Sequence, residues 1–389
     1  MRGAPFSLLR RRDERAQVTQ IELFFDLIFV FAVTQISEFL RAHMSALGAL
    51  QALMLFAAMW WGWVYTSWAT NWIDPDRRPV KLLLLGLMFC ALLLAASVPK
   101  AFGIRGLTFA LGLSTMNLGR SGFMLWALKQ HDSVNYKNFQ RISVWLGTGA
   151  LLWLLGGLLS EPFRIFLWAA ALLVDLAGPA NGFYVPGLGR STTLDWQLDA
   201  RHMAERCAGF VLIALGESIT VIGANFSDLH WRPATAAAVT SALVSAAALW
   251  WIYFNDAAER TAHAFAHAED IGKIARAAYT YVHGLLIAAI ITIAAGDAFL
   301  LESPLQHVLP GQSLILLGGP AAFLLGNGFF RRFLHPRFPV SHLCGLALLA
   351  FLTFLTAIFP WCSLLVLSLG VSITLLAVVF ISNALAART

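Results

Sequence analysis

The hydrophobic and polar positions alternate on a long scale. Apolar runs of about 20 residues recur from end to end, parted by short polar or charged tracts. At 1.5 Å per residue, about 20 apolar residues cross ~30 Å of hydrocarbon as a helix. The pattern therefore predicts spans near 20–40, 46–70, 79–99, 106–128, 139–160 and 162–184, and then near 204–226, 234–254, 275–297, 311–333, 340–359 and 361–385. The expected fold is an all-α membrane protein of about 12 transmembrane helices. Its expected divisions are an N-terminal basic tract (1–19), a first six-helix half (20–186), a connection (187–203) and a second six-helix half (204–389).

Composition narrows this picture. The chain is 59% hydrophobic and 12% charged, with a mean hydropathy of +0.71, whereas soluble domains carry about a quarter charged residues. The net charge of +6 points away from nucleic acid, because the basic residues are scattered in tracts between apolar runs. Of the 27 Lys and Arg, only Arg41, Lys100, Arg105, Arg164 and Arg232 fall in odd-numbered connections, and Arg120 alone lies well inside a span. The remainder fall at the N-terminus, in even-numbered connections and at Arg388, which predicts both termini on the cytoplasmic side. The basic lead MRGAPFSLLRRRDERAQ resembles a signal peptide, but the following run contains Glu22 and Asp26 and no small-residue cleavage site, so it is expected to enter a retained helix. Four cysteines, Cys90, Cys207, Cys344 and Cys362, lie in apolar segments without CxxC spacing and imply neither a disulfide framework nor zinc.

Three stretches recur in order, as in a duplicated architecture. Ile21 to Ser37 lies over Ala204 to Thr220, setting Glu22 against Glu205; Trp60-Trp61 corresponds to Trp250-Trp251; and LGRSGF (Leu118 to Phe123) corresponds to LGNGFF (Leu325 to Phe330). Six spans per half give the two copies the same membrane orientation, so parallel repeats are expected.

Acidic residues in apolar helices are the candidate chemistry, since they are costly there and commonly line an ion path. Glu22 and Asp26, four apart, share one helical face; capping of the helix start is the alternative for both and the preferred reading for Glu22, while Asp26 lies a turn deeper. Glu205 repeats the Glu22 position, and Arg206 is placed to neutralise an acid from another helix. Arg120, Asp175 and Glu217 fall near span centres, which suggests an internal ion pair between Arg120 and one acid. Ser218 is placed to hydrogen-bond across an approaching helix. His283 in AYTYVHGLL is a titratable candidate beside interfacial tyrosines. Glu259, His263 and His267 share a helical face at i,i+4 spacing, a weak metal pattern without a fourth ligand. No GxSxG, HExxH or GxxxxGK[ST] occurs, so no catalytic residue and no cofactor is expected.

ELFFDLIFVF (Glu22 to Phe31), AERCAGFVLIALGES (Ala204 to Ser218), WWIYF (Trp250 to Phe254) and AYTYVH (Ala278 to His283) resemble the bacterial low temperature requirement protein A family, nearly end to end. The resemblance implies a multi-pass membrane protein and supplies no substrate. It marks Glu22, Asp26, Glu205 and Glu217 as motif acids, with Arg206, Ser218 and His283 beside them. After Glu-Arg the second motif is less bulky than the family pattern, having Cys207 and Ala208, which loosens the packing expected there. The leading expectation is a transporter or channel-like protein of the bacterial inner membrane that uses buried acids for proton or cation coupling, with the bilayer and a proton, cation or small molecule as partners. The alternatives are a membrane-embedded sensor, a lipid-acting enzyme and a non-transporting scaffold.

Overall fold

The computed structural model describes residues 7–10, 17–129, 131–192, 198–226, 232–255, 271–333, 337–359 and 361–387. It holds twelve long helices: α1 (Gln20–Ala42), α2 (Ala46–Trp72), α3 (Arg78–Ser97), α4 (Gly106–Leu128), α5 (Ser133–Leu158), α6 (Phe163–Ala180), α7 (Ala200–Phe226), α8 (Pro233–Phe254), α10 (His283–Glu302), α11 (Pro310–Arg331), α12 (Val340–Ile358) and α13 (Leu364–Ala386). A short helix α9 (Ile271–Ala275) and a π-helical turn (Arg276–Val282) lead into α10.

Among the described residues, eleven helices are long and apolar enough to cross a membrane. The twelfth expected span, α4, has 23 residues but falls outside that set, because Ser114, Asn117, Arg120 and Ser121 interrupt its apolar sequence. These four are also buried, so α4 turns its polar side chains inward. The ninth span is longer at both ends than the spacing suggested, its apolar stretch running from Gly272 to Glu302.

Local signals place several helix starts. Asp132 caps α5 by accepting from the Asn135 amide at 3.0 Å, and Ser363 caps α13 by accepting from Val366 N at 3.3 Å. Pro233 and Pro310 occupy first-turn positions of α8 and α11, where a missing N–H costs nothing.

The chain divides into two compact units. In the first, α3, α4, α5 and α6 pack in sequence order around an aromatic core of Phe109, Trp153 and Trp168, whose ring centroids lie 5.1 to 6.0 Å apart. Arg164 is buried there and donates to the carbonyls of Gly156 (3.1 Å), Ala101 (3.1 Å) and Gly103 (2.6 Å). It thus closes the C-terminal end of α5.

In the second unit α8 packs on α13, and α10, α11 and α12 pack in turn. Ser241 and Ser245 of α8 interlock with Ser368 and Ser372 of α13 through hydroxyl contacts of 2.8, 2.8 and 2.9 Å, a small-residue interface of the kind that lets membrane helices approach closely. The Trp pairs matched between the halves differ in setting. Trp60 and Trp61 are 6% and 4% exposed, whereas Trp250 and Trp251 are 44% and 43% exposed.

Candidate functional site

Within the first unit, α1, α2 and the start of α7 each contribute polar side chains to one buried cluster. The i,i+4 spacing puts Glu22 and Asp26 on one face of α1, and the same spacing puts His202 and Arg206 on one face of α7. All four are 0 to 1% exposed. Arg206 forks onto Asp26, with Nε to Oδ2 at 3.1 Å and Nη2 to Oδ1 at 2.6 Å. Its Nη1 donates to Glu22 Oε1 at 3.0 Å and to Thr70 Oγ1 at 3.3 Å. Trp63 of α2 donates its indole N–H to Asp26 Oδ1 at 2.7 Å, and its ring lies 5.6 Å from the Arg206 guanidinium carbon.

Glu22 serves two ends at once. Its Oε2 accepts from the amide and hydroxyl of Thr19 at 2.9 and 3.0 Å, half of a capping box at the start of α1. The same oxygen accepts from Arg10 Nη2 at 3.2 Å. Arg10 also donates its backbone N–H to Trp72 O at 2.9 Å and its Nε to Thr70 O at 2.8 Å, which satisfies open carbonyls at the end of α2.

The protonation of His202 follows from the network. Asp199 N donates to Asn71 Oδ1 at 2.8 Å, and Asn71 Nδ2 donates back to Asp199 O at 2.9 Å. That reciprocal pair fixes the amide orientation, so Asn71 Nδ2 also faces His202 Nδ1 as a donor at 3.2 Å. His202 Nδ1 is then the acceptor and Nε2–H the donor to Glu22 Oε1 at 2.9 Å. With neutral His202, two carboxylates face two guanidinium groups, and the cluster is charge-balanced.

Arg120 has a different setting. Its Nη1 donates to Gly62 O at 3.2 Å and Thr66 Oγ1 at 3.1 Å, its Nη2 to Asn117 Oδ1 at 2.9 Å, and its guanidinium carbon lies 5.2 Å from the Tyr65 ring centroid. The ion pair expected between Arg120 and a buried acid is absent among the described residues: its polar partners are neutral groups of α2 and its own helix. Asp175 of α6 instead meets the Trp153 indole N–H at 3.4 Å and lies against Gly149 of α5.

In the second unit, the π-helical turn leaves Ala278 O facing His283, whose Nδ1–H donates to it at 2.8 Å. His283 Nε2 then accepts from the Tyr253 hydroxyl at 2.8 Å. Phe330 closes over the imidazole edge-on at 4.8 Å. Asp297, in the apolar α10, is 5% exposed, and its Oδ2 has no hydrogen-bond partner among the described residues; nor has Ser218 Oγ, which lies beside that carboxyl. Glu217 is 1% exposed.

A family model described as bacterial low temperature requirement A protein matches residues 17–381. The chain belongs to this family. It is also similar to an uncharacterised protein of Rhizobium meliloti (strain 1021), at 37% identity over 346 residues, covering 88% of this chain and 84% of the relative. No solved structure matches it.

In this member of the low temperature requirement A family, Glu22, Asp26 and Arg206 come together in one cluster. Glu205 does not join them: it is exposed on the face of α7 that leads away from Arg206. Glu259, His263 and His267 lie outside the described residues.

Several residues escaped the sequence pattern. His202 fell in the expected connection, yet it stands four residues before Arg206 and shares its face. Asp297 fell at the expected end of a span, so it read as a boundary. Arg10, Trp63, Thr70 and Asn71 gave no signal, because what recruits them is the tertiary approach of α1, α2 and α7.

Proposed function

We propose that the protein is an inner-membrane transporter or channel-like protein coupled to proton or cation movement, with Asp297 and Asp175 as its coupling acids and Ser218 beside the first of them. The observation that carries this reading is the contrast between two kinds of buried carboxylate. Glu22 and Asp26 face Arg206 and Arg10 at 2.6 to 3.2 Å, which leaves them no net charge to exchange. Asp297 and Asp175 make no ion pair among the described residues. Isolated carboxylates in an apolar interior are neutralised by a proton or a cation, and such sites recur in ion-coupled carriers.

In this reading the Glu22–Asp26–Arg206 cluster is a lock that holds α1, α2 and α7 together. Arg120 and His283 act as helix ties of the same kind. Both termini are cytoplasmic, and the six-helix halves are parallel copies. Support for the duplication comes from Arg120 and Asn327, which occupy the same position of the LGRSGF and LGNGFF stretches and are 1% and 0% exposed.

The test is flux in proteoliposomes under an imposed pH gradient. Wild type is expected to move protons or alkali cations, and Asp297→Asn and Asp175→Asn to lower that rate tenfold or more. Absence of any flux, with both substitutions altering stability alone, overturns the proposal in favour of a scaffold.

A further inference from the structure

A groove of about 500 Å³ opens between α3 and α4, within the size range of ligand pockets. It arises from two facing stripes. On α3, Leu82, Gly86 and Cys90 recur at i,i+4; on α4, Thr115, Gly119, Phe123 and Trp126 recur at i,i+4 and i,i+3. The void exists because both stripes omit a side chain at mid-length: a Cβ built on Gly86 or Gly119 would meet nothing within 4 Å. Its walls are almost wholly apolar, and Leu82 and Trp126 at its rim are 69% and 59% exposed. They face the lipid side of the unit.

The same two stripes end in cations. Arg78 stands four residues before Leu82 and Lys129 three after Trp126, so each continues its stripe past the mouth of the groove. The antiparallel packing of α3 and α4 brings these ends to the same side. Arg77 and Lys81 nearby are engaged with Asp74 and Asp76 at 3.2 and 3.1 Å. Arg78 and Lys129 are exposed and have no ion pair among the described residues. An apolar slot continued by two free cations complements one ligand chemistry, an acyl chain carrying an anionic headgroup.

We propose that the α3–α4 groove is a binding site for an anionic phospholipid, its acyl chain lying over Gly86 and Gly119 and its phosphate held by Arg78 and Lys129. The headgroup charge is the distinguishing feature, because a zwitterionic lipid fills the slot equally well and gains less from the two cations.

The experiment is native mass spectrometry of the full chain in detergent with equal amounts of phosphatidylglycerol and phosphatidylcholine. Wild type is expected to retain phosphatidylglycerol about thirtyfold over phosphatidylcholine, the scale of two near-surface cation contacts. Arg78→Gln with Lys129→Gln is expected to bring that ratio close to one while lipid is still retained. Gly86→Leu with Gly119→Leu is expected to abolish retention of both lipids. Equal retention of the two lipids by wild type, or undiminished phosphatidylglycerol on the filled-groove variant, overturns the site. The charge variant leaves the groove intact, so it still decides the headgroup question if the filled variant fails to fold.

Discussion

Replacing Arg206 by Gln strikes the point where α1, α2 and α7 are tied. The guanidinium makes two contacts to Asp26, one to Glu22 and one to Thr70. After its removal Glu22 keeps Thr19, His202 and Arg10, but Asp26 keeps only the Trp63 indole as a donor among the described residues. Asp26 is thus the group left buried without compensation. Breaking a buried pair from one side costs about 3–5 kcal/mol, which for a chain of this size lowers an apparent unfolding temperature by roughly 5 °C. The assay is intrinsic tryptophan fluorescence during heating in detergent at a fixed scan rate, since membrane proteins unfold irreversibly. Asp26→Asn leaves Arg206 paired with Glu22 and is expected to cost less. The triple substitution Glu22→Gln, Asp26→Asn, Arg206→Met removes Arg206 together with both of its acids, leaving only the partly exposed Arg10 charged, and is expected to recover most of the loss. An Arg206→Gln protein that unfolds within ~2 °C of wild type refutes the lock, as does a triple variant less stable than Arg206→Gln.

Two smaller effects follow from the packing. Tyr253→Phe breaks one hydrogen bond to His283 and should cost about 1 kcal/mol, whereas His283→Phe breaks that bond and the one to Ala278 O and should cost more; the double variant should cost less than the sum, measured by a double-mutant cycle on the same unfolding signal. Gly156→Ala drives a methyl into Trp168 and is expected to destabilise by about 1–3 kcal/mol, whereas Gly86→Ala meets open space and is expected to be neutral or to stabilise by up to ~1 kcal/mol; equal effects at both positions contradict the packing described.

The spans were legible because bilayer thickness fixes the length of each apolar run, and eleven of the helices meet that criterion. The candidate acids were legible for a related reason: Glu22 and Asp26 stand out in ELFFDLIFVF. Their partners were only partly so. Arg206 stood out as a cation at the start of a span, but His202 lay just outside the expected boundary, and a shift of a few residues at a helix end hides a whole turn. Arg120 shows a second limit. A sequence displays charges, so a buried cation is matched with the acids in view, whereas the chain satisfies it with Thr66, Asn117, a carbonyl of Gly62 and the face of Tyr65. Glu205 shows a third. It repeats Glu22 in sequence, but Arg206 next to it occupies the inward face of α7, so the neighbouring acid is turned outward.

On the proposed function, a compensated lock and uncompensated coupling acids divide the labour. The most direct measurement is pH-gradient-driven flux through proteoliposomes holding either the Glu22→Gln, Asp26→Asn, Arg206→Met triple variant or Asp297→Asn, at matched amounts of folded protein. Flux within about twofold of wild type is expected for the triple variant, because the lock lies outside the coupling path, and a loss of tenfold or more for Asp297→Asn. Flux abolished in the triple variant and intact in Asp297→Asn would contradict it, and would move the coupling site to Glu22 and Asp26.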